Sequence, residues 1–327
     1  MKGTDLDLNR PRVTVLMPVF NGQDYLADQI ESILRQRDVD VLLQAIDDGS
    51  TDDSGQILDH LASEDPRVVV STHEANLGLI ATIGELLEDV DGDYFALADQ
   101  DDLWDLDKLS RSIGALRASG AALVYSDVRI CDASGQVEQA SYWNSRKIRP
   151  IRGRNPIPFV FRNPAIGHTI VANRSVAMAA RHPPPSLVYH EAWIVAAAMS
   201  TGFVDFINAP LGSYRSHSTN VVGPSDTAVL HRARRLATTR GKLARRQRTR
   251  REAMSAVATL HPEFEHPAAL MRRRPTQVFG AIGFTRFLLR SASPIGPRAV
   301  ATEIALFFLD AATGILGAIR PSIGGRG

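Results

Sequence analysis

The chain has 327 residues, of which 44% are hydrophobic, and its formal net charge is +1. This length and apolar content are sufficient for one large α/β domain with an appendage. The single cysteine, Cys131, excludes an internal disulfide framework and a cysteine-rich zinc site, and it favours a reducing, cytosolic setting. Residues 1–12 are polar and lack an apolar signal core, so we expect a short disordered lead-in there.

The near-neutral total hides an uneven charge distribution. Residues 1–227 carry 19 Lys/Arg against 31 Asp/Glu, a net charge of −12, whereas residues 228–327 carry 18 against 5, a net charge of +13. An acidic first part suits a metal-dependent site and argues against a nucleic acid lying across it. A basic second part suits an anionic membrane surface, a polyanion or an acidic neighbouring subunit.

Apolar runs alternate with segments of helical periodicity through the first 125 residues. Val13 to Val19 predicts a buried strand, and the apolar spacing from Tyr25 to Leu34 predicts the helix after it. The order predicts a doubly wound α/β fold with a mostly parallel sheet and helices on both faces. Further strands are predicted at Val41 to Ile46, Val68 to Ser71, Tyr94 to Ala98 and Ala121 to Tyr125, and further helices from Ser50–Asp52 to about Leu61, at Leu77 to Glu88 and at Asp105 to Ala118.

The pattern is less regular after Tyr125. A Pro- and Arg-rich passage from Ser145 to Pro164 predicts a mobile loop. The remaining predicted elements are strands at His168 to Ala172, Phe203 to Ile207 and Leu211 to Tyr214, and helices at Arg174 to Arg181 and Glu191 to Ser200.

The C-terminal region is basic and then apolar. Ten Lys/Arg and no Asp/Glu lie between Ala228 and Arg251, which predicts a basic helix able to contact anionic lipid or nucleic acid. The alternative is a solvated helical face. Charged residues and prolines interrupt the apolar segment from Thr276 to Ile319, so no piece reaches the roughly 18 to 20 residues that span a bilayer. We expect amphipathic helices that lie on a membrane or pack against another subunit.

Three carboxylates follow the strand predicted at Tyr94 to Ala98. Asp99, Asp101 and Asp102 would repel one another, and proteins usually keep such a cluster for a cation. Asp-x-Asp at a strand end supplies part of a cage for Mg2+ or Mn2+, which substrate phosphates complete. The alternative is an acidic turn that caps the helix predicted from Asp105.

A second pair of carboxylates, Asp47 and Asp48, follows the second predicted strand. The carboxyl ends of parallel strands meet at one edge of the sheet, which is where such folds bind ligands. Helix capping alone does not explain acidic residues after two separate strands, so the sequence predicts a ligand crevice at this edge.

These segments, in their order and spacing, resemble the inverting, nucleotide-sugar-dependent glycosyltransferases of family 2, which have the GT-A fold. The resemblance covers about Val13 to Gly223. It rests on Met17-Pro-Val-Phe-Asn-Gly22, Asp47-Asp-Gly-Ser-Thr-Asp52, Asn76-Leu-Gly78 and Ala98-Asp-Gln-Asp-Asp-Leu-Trp104. It implies a nucleotide-binding half at 13–125, an acceptor-side half at 126–223 and a helical basic region at 224–327.

Two later segments resemble motifs of bacterial rhamnosyltransferase-like members. They are Tyr189-His-Glu-Ala-Trp193 and Tyr214-Arg-Ser-His-Ser-Thr-Asn-Val-Val-Gly223, although Glu191 stands where those members have Asp and Ala192 replaces an aromatic residue. This resemblance implies a dTDP- or UDP-activated rhamnose or related deoxysugar as donor. It also implies a surface-glycan or lipid-linked oligosaccharide acceptor, and synthesis of O-antigen or a similar polysaccharide in the cytoplasm, with peripheral contact at the inner face of the membrane.

The resemblance also assigns roles to individual residues. Asp101 and His217 are expected to hold Mn2+ or Mg2+, and Asp47 to accept a hydrogen bond from the N3–H of the base. The residues expected to contact the donor nucleotide are Pro18, Phe20, Asn21, Asp47, Asp48, Asn76, Gly78, Asp99 and Gln100. Those expected near the sugar or the acceptor are Asp102, Trp104, Trp193 and Arg215. For the two tryptophans, burial against the core is the alternative.

Inversion requires a general base that takes the proton of the acceptor hydroxyl as its oxygen attacks the anomeric carbon. Glu191, at the start of an apolar helix, is the candidate; the alternative is an ordinary first-turn glutamate.

A dinucleotide-dependent dehydrogenase is disfavoured, because no Gly-x-Gly-x-x-Gly follows the first strand. A two-metal phosphatase or phosphodiesterase and a non-catalytic sugar-nucleotide-binding protein remain as alternatives.

Overall fold

The computed structural model of the chain describes residues 10–217, 248–265 and 268–269. Through residue 97, strands and helices alternate, because runs that are apolar on both faces of a sheet separate segments of helical period. The elements are β1 Arg12–Val19, α1 Leu26–Leu34, β2 Asp40–Asp47, α2 Ser54–Glu64, β3 Val68–Thr72, α3 Leu79–Glu88 and β4 Tyr94–Leu97.

The second half is more varied. Its strands are β5 Leu103–Trp104, β6 Leu123–Cys131, β7 Val137–Gln139, β8 Val171–Asn173 and β9 Val204–Arg215. Its helices are α4 Lys108–Ser119, α5 Tyr142–Arg146, α6 Ile157–Phe161, α7 Arg174–Ala180, α8 Glu191–Thr201 and residues 248–260 (α9), with 3-10 turns at Gly167–Thr169 and Pro262–Phe264.

One sheet joins the two halves in the order β3-β2-β1-β4-β8-β6-β9-β5, with β7 beside β6. The pairs β1–β2, β1–β4, β2–β3 and β6–β9 are parallel. β8 is antiparallel to both β4 and β6, and β5 is antiparallel to β9. The α/β fold with a mostly parallel sheet and helices on both faces is confirmed, and the antiparallel pairs are short and all involve strands of the second half.

Alternate residues of the central strands enter two cores. Val13, Val15 and Met17 of β1 lie in the core beneath α1, α2 and α4, and Leu16 lies in the core beneath α3, α7 and α8. This alternation follows from the period of two of a β-strand, and it explains why β1 is apolar throughout.

Three boundaries differ from the prediction. β6 continues to Cys131, and the two strands predicted at Phe203 to Ile207 and Leu211 to Tyr214 form the single strand β9. The register between β6 and β9 shifts after Ile207. A β-bulge therefore accommodates the residues between the two predicted strands, and the chain remains in the sheet. His168 lies in a 3-10 turn, because β8 begins only at Val171.

The passage from Ser145 to Pro164 contains a buried helix instead of a continuous loop. Pro156 precedes α6, where the fixed φ of proline suits a helix start, and all five residues of α6 are buried. The apolar sequence of Ile157 to Phe161 therefore decides the structure here, in spite of the surrounding prolines and arginines.

α9 packs on α6 and α8. Met254 and Val257 are buried against Phe161 and Ala196, and Arg250 donates from Nη2 to the carbonyl oxygen of Phe161 at 3.1 Å. This part of the basic region is thus integral to the folded domain. The remaining predictions for residues 228–327 fall mostly outside the described ranges, including the segment from Thr276 to Ile319.

Met254→Ala is expected to lower the free energy of unfolding by about 2–4 kcal/mol, because it removes a buried side chain and leaves a cavity. The matched control is Met178→Ala on α7, whose side chain is 58% exposed, and it should change stability little. Urea unfolding of the whole chain measures both. Equal stability of the two variants would contradict the docking of α9.

None of the helices in the described ranges combines the length and the apolar character that a membrane crossing requires.

Candidate active site

The carboxyl ends of β1, β2 and β4 meet at one edge of the sheet, as their parallel pairing requires. The side chains predicted to contact a nucleotide belong to these strand ends, to the loops that follow them, or to the loop after β3. They are Pro18, Phe20, Asn21, Asp47, Asp48, Asn76, Gly78, Asp99 and Gln100.

Gln100 joins the acidic loop after β4 to the loop after β1. Its Oε1 accepts a hydrogen bond from the N–H of Phe20 at 2.8 Å, and its Nε2 donates to the carbonyl oxygen of Phe20 at 3.1 Å. A Cβ on Gly22 would lie 2.5 Å from Gln100 Cδ, so only glycine leaves space for this side chain. Gln100 therefore fixes the spacing of the two loops, and the ring of Phe20 stays exposed beside it.

Asn21 ties the loop after β1 to the loop after β2. Its φ of 52° lies in the left-handed region, which asparagine adopts more readily than most residues. Its Oδ1 accepts from the N–H of Thr51 at 2.8 Å, and its own N–H donates to Ser50 Oγ at 2.9 Å.

Asp47 and Asp48 are buried and order the loops around them. Asp47 Oδ1 accepts from the N–H of Ser50 at 3.0 Å, and no hydrogen bond from the described residues reaches its Oδ2. Asp48 accepts from the N–H groups of Leu77 and Gly78 at 2.7 and 2.8 Å. Asp47 Oδ2 can therefore still accept a hydrogen bond.

His73 follows β3 and bridges two carboxylates. Its Nδ1 lies 2.8 Å from Asp48 Oδ1 and its Nε2 lies 2.9 Å from Glu85 Oε2. The hydrogen bonds to Asp48 and Glu85 raise the pKa of His73. Burial acts to raise the pKa of Asp48, but the hydrogen bonds from His73, Leu77 and Gly78 outweigh it and lower that pKa.

His73→Gln is expected to lower the free energy of unfolding by about 1–2 kcal/mol at pH 6, and by less at pH 9. The folded-state pKa of His73 is raised, so its contribution is complete below the unfolded value of about 6.5 and is lost as pH rises through the folded value. The pKa of Asp48 is lowered, so the stability that its ionised carboxylate contributes is lost only at acidic pH, below the range in which His73 titrates.

Urea unfolding between pH 5.5 and 9 measures the effect. The control is His60→Gln, because His60 is exposed and lies 3.6 Å from Glu64 at the surface. A destabilisation of His73→Gln that did not vary with pH would show that His73 is neutral in the folded protein.

Asp101 and His217 lie together although they are distant in the sequence. His217 Nε2 is 2.8 Å from Asp101 Oδ2. Burial, and then the charges of Asp102 and Asp99, raise the pKa of Asp101 to about 6. A cation bound here would relieve that charge. One carboxylate oxygen and one imidazole nitrogen fit Mn2+, with its other positions left for water and phosphate oxygens.

Tyr25 and Arg215 support this pair. The ring of Tyr25 stacks on His217 at 4.7 Å between centroids, and the guanidinium carbon of Arg215 lies 4.7 Å from the Tyr25 ring centroid. Arg215 is buried and donates to the carbonyl oxygens of Asp101 and Ala133 at 3.1 and 2.9 Å. Arg215 thus holds the acidic loop, and its contact with sugar or acceptor stays a prediction.

A second group consists of Asp99, Asp102 and His168. His168 Nδ1 lies 3.0 Å from Asp99 Oδ2 and 2.8 Å from Asp102 Oδ2, and the three side chains have the spacing of a metal site. Burial lowers the pKa of His168, but the carboxylates outweigh it and raise that pKa to about 10. The buried Lys108 adds a further cationic group, although burial lowers its pKa to about 7.

This second group contains a cationic partner of its own. Asp99 and Asp102 favour the protonated form of His168, and a protonated imidazole has no lone pair for a metal. This group and the pair of Asp101 and His217 both combine carboxylate and imidazole ligands. Sequence reasoning missed His168 and Lys108, because neither stands in a motif, and the carboxylate partners of His168 lie far from it in the chain.

Glu191 begins α8, and its side chain is 17% exposed. The turn Gly167–Thr169 separates it from the acidic loop. A Cβ on Gly167 would lie 3.6 Å from Glu191 Oε1, while the next residue, His168, contacts Asp99. The candidate base and the acidic loop thus face two neighbouring residues of one turn.

Trp104, Trp193 and Asp102 are buried, and a contact of any of them with sugar or acceptor stays a prediction. Trp104 is 5% exposed and lies beneath the ammonium of Lys108, 3.5 Å from the ring centroid. Trp193 is 3% exposed, and its Nε1 donates to the carbonyl oxygen of Ala180 at 2.6 Å. Burial of a large apolar indole ring is strongly favourable, which explains why both tryptophans lie in the core.

Comparison with known proteins places this geometry in a family. The model of "Glycosyl transferase family 2" matches residues 14–181. An uncharacterised glycosyltransferase of Haemophilus influenzae is 33% identical over 128 residues, which cover 39% of this chain and 51% of that protein. The dTDP-rhamnosyl transferase RfbG of Shigella flexneri is 24% identical over 249 residues, which cover 72% of this chain and 82% of that protein.

Solved structures show the same fold. TarS 1-349 of S. aureus in complex with UDP-GlcNAc gives a TM-score of 0.54 at 14% identity, covering 94% of this chain and 92% of that one. The mannosyltransferase PcManGT of Pyrobaculum calidifontis in complex with GDP-Man and Mn2+ gives 0.52 at 15% identity, covering 96% and 89%. The fold is thus the GT-A fold, and the chain belongs to glycosyl transferase family 2, a family of sugar-transferring enzymes.

Proposed function

We propose that this chain transfers a sugar, with inversion, from a nucleoside diphosphate donor to a hydroxyl group of a glycan. The observation that carries the proposal is the turn Gly167–Thr169, which brings the candidate base Glu191 beside the acidic loop. A base and a diphosphate site that adjoin the same short turn suit a reaction in which a proton is taken from the acceptor while the diphosphate departs.

In the proposed reaction, the carboxylate of Glu191 takes the proton of the acceptor hydroxyl. The oxygen of that hydroxyl forms a bond to the anomeric carbon, and the bond from this carbon to the donor phosphate breaks. The electron pair of the broken bond leaves with the nucleoside diphosphate. Glu191 needs no covalent role, because inversion is complete in this single displacement.

Asp101 and His217 are the proposed ligands of a divalent cation, which would offset the charge of the departing diphosphate. The donor set of one carboxylate and one imidazole suits Mn2+ better than Mg2+, because Mg2+ prefers oxygen ligands alone.

The loops after β1, β2 and β3 are proposed to hold the nucleotide. The exposed ring of Phe20 would cover one face of the base, and Asp47 Oδ2 would accept the hydrogen of its N3. Gln100 would fix the spacing of the loops after β4 and β1, and Asn21 would fix that of the loops after β1 and β2.

We further propose a dTDP- or UDP-activated deoxysugar such as rhamnose as the donor, and a lipid-linked or surface-glycan chain as the acceptor. The motif around Glu191 and the similarity to a dTDP-rhamnosyl transferase over 72% of this chain support that choice.

Calorimetric titration with dTDP, UDP and GDP, each with and without Mn2+, tests the donor site. We expect one of these nucleotides to bind tightly, and only with the metal. The absence of binding under every condition would contradict the proposal. Hydrolysis of simple phosphate esters without an acceptor would favour a two-metal phosphatase instead.

The basic residues between 228 and 251 are proposed to bring the enzyme to the anionic cytoplasmic face of a membrane, where a lipid-linked acceptor would lie. Arg250 does not belong to this surface, because it is buried against Phe161. Flotation with anionic and neutral liposomes tests the idea, and equal recovery with both would refute it.

A further inference from the structure

His190 directly precedes Glu191 and has no role in the reaction proposed above. Its side chain is 6% exposed, and its Nδ1 has no hydrogen-bond partner among the residues that the structure describes. A buried nitrogen of this kind is unusual, because polar atoms removed from water are nearly always hydrogen bonded. A catalytic role is one of the reasons for such exceptions.

The nearest acidic group is the candidate base itself. His190 Nδ1 lies 4.0 Å from Glu191 Oε2, which is longer than a hydrogen bond. Rotation of the flexible Glu191 side chain can close this gap, and catalytic hydrogen bonds often shorten only when the substrate is bound.

Gly167 makes room for the imidazole ring. A Cβ at this position would lie 2.8 Å from His190 Nε2 and 3.3 Å from its Cε1. The φ of Gly167 is not positive, so its backbone does not itself require glycine. The space beside the ring is therefore the reason for the missing side chain.

We propose that His190 is a positioning residue for Glu191. Its Nδ1–H donates to the Glu191 carboxylate when the acceptor binds, and Gly167 keeps the ring at the required place. The carboxylate is then held in the single orientation from which it can take the proton of the acceptor. This inference rests on the proposed role of Glu191 as the base.

Two matched variants test the proposal. Asparagine can place an amide N–H near the position of Nδ1, whereas glutamine places its amide near the position of Nε2. We expect His190→Asn to lower kcat about threefold and His190→Gln to lower it about 100-fold, because a misplaced base costs about that factor. Both variants should leave the KM for the donor and the thermal unfolding temperature close to the wild-type values.

A double-mutant cycle provides a second test. Gly167→Ala is expected to lower kcat about 30-fold, because the new methyl group displaces the His190 ring. Asparagine lacks the Cε1 and Nε2 atoms that would meet this methyl group. Gly167→Ala should therefore have little further effect in the His190→Asn background.

Equal losses in His190→Asn and His190→Gln would overturn the inference, and so would additive effects of Gly167→Ala and His190→Asn. Glu191→Gln is assayed in the same experiment, so that failure of the His190 proposal can be distinguished from failure of the proposed function. If Glu191→Gln retained full activity, the base would lie elsewhere and the role of Glu191 itself would be refuted, whatever the His190 variants showed.

Discussion

Asp101→Asn is expected to weaken Mn2+-dependent binding of the nucleoside diphosphate at least about 100-fold, and to lower turnover about 1000-fold. Asparagine has nearly the same shape as aspartate but lacks its charge, so the protein should fold normally while the metal loses its anionic ligand. The substitution also removes the repulsion of Asp101 by Asp99 and Asp102, which should slightly raise the free energy of unfolding. Calorimetry with and without Mn2+ measures the binding, and a transfer assay measures the turnover.

The control for this variant is Asp107→Asn, because Asp107 is exposed and lies outside both carboxylate groups. The structure also offers a competing metal site in Asp99, Asp102 and His168. If Mn2+ binding were unchanged in Asp101→Asn and lost in His168→Gln, the metal would bind to that group. This result would refute the assignment to Asp101 and His217.

Glu191→Gln is expected to lower kcat about 1000-fold and to leave the affinity for the donor nucleotide unchanged, because a general base contributes about 100- to 10,000-fold. The amide keeps the size of the side chain but cannot accept the proton of the acceptor hydroxyl. The difference between a lost kcat and an intact donor affinity separates this variant from Asp101→Asn, in which both are lost.

The control for Glu191→Gln is Glu88→Gln, an exposed position at the end of α3, which should behave as wild type. Measurable transfer by Glu191→Gln at the wild-type rate would show that another group takes the proton. Weakened donor binding in the same variant would instead indicate that Glu191 contacts the nucleotide sugar.

The sequence predicts the first half of the fold well, because its strands are apolar on both faces and its helices have a clear period. β5 is not predictable in this way. It has two residues, and its pairing with Gly212 and Ser213 depends on a segment more than a hundred residues away. The bulge that joins the two predicted strands into β9 likewise depends on its neighbour β6.

For the candidate site, the sequence indicates which loops meet but not which atoms are already used. Asp48 and Arg215 belong to motifs, and the structure shows that their polar atoms hold backbone groups of neighbouring loops. The burial of Trp104 and Trp193 is equally invisible in the sequence, because an indole ring suits a core and a sugar-binding surface alike. The partners of His168, Asp99 and Asp102, lie far from it in the sequence, so their contact requires the folded chain.

The docking of α9 has a consequence for synthesis on the ribosome. The apolar surface of Phe161 and Ala196 is covered by residues of α9 that emerge only after the whole sheet has left the exit tunnel. Until Met254 and Val257 follow, this surface is open to chaperones and to other nascent chains. A polypeptide cut short before α9 would keep it open permanently, and such fragments should aggregate or be degraded even though every strand of the described sheet is present.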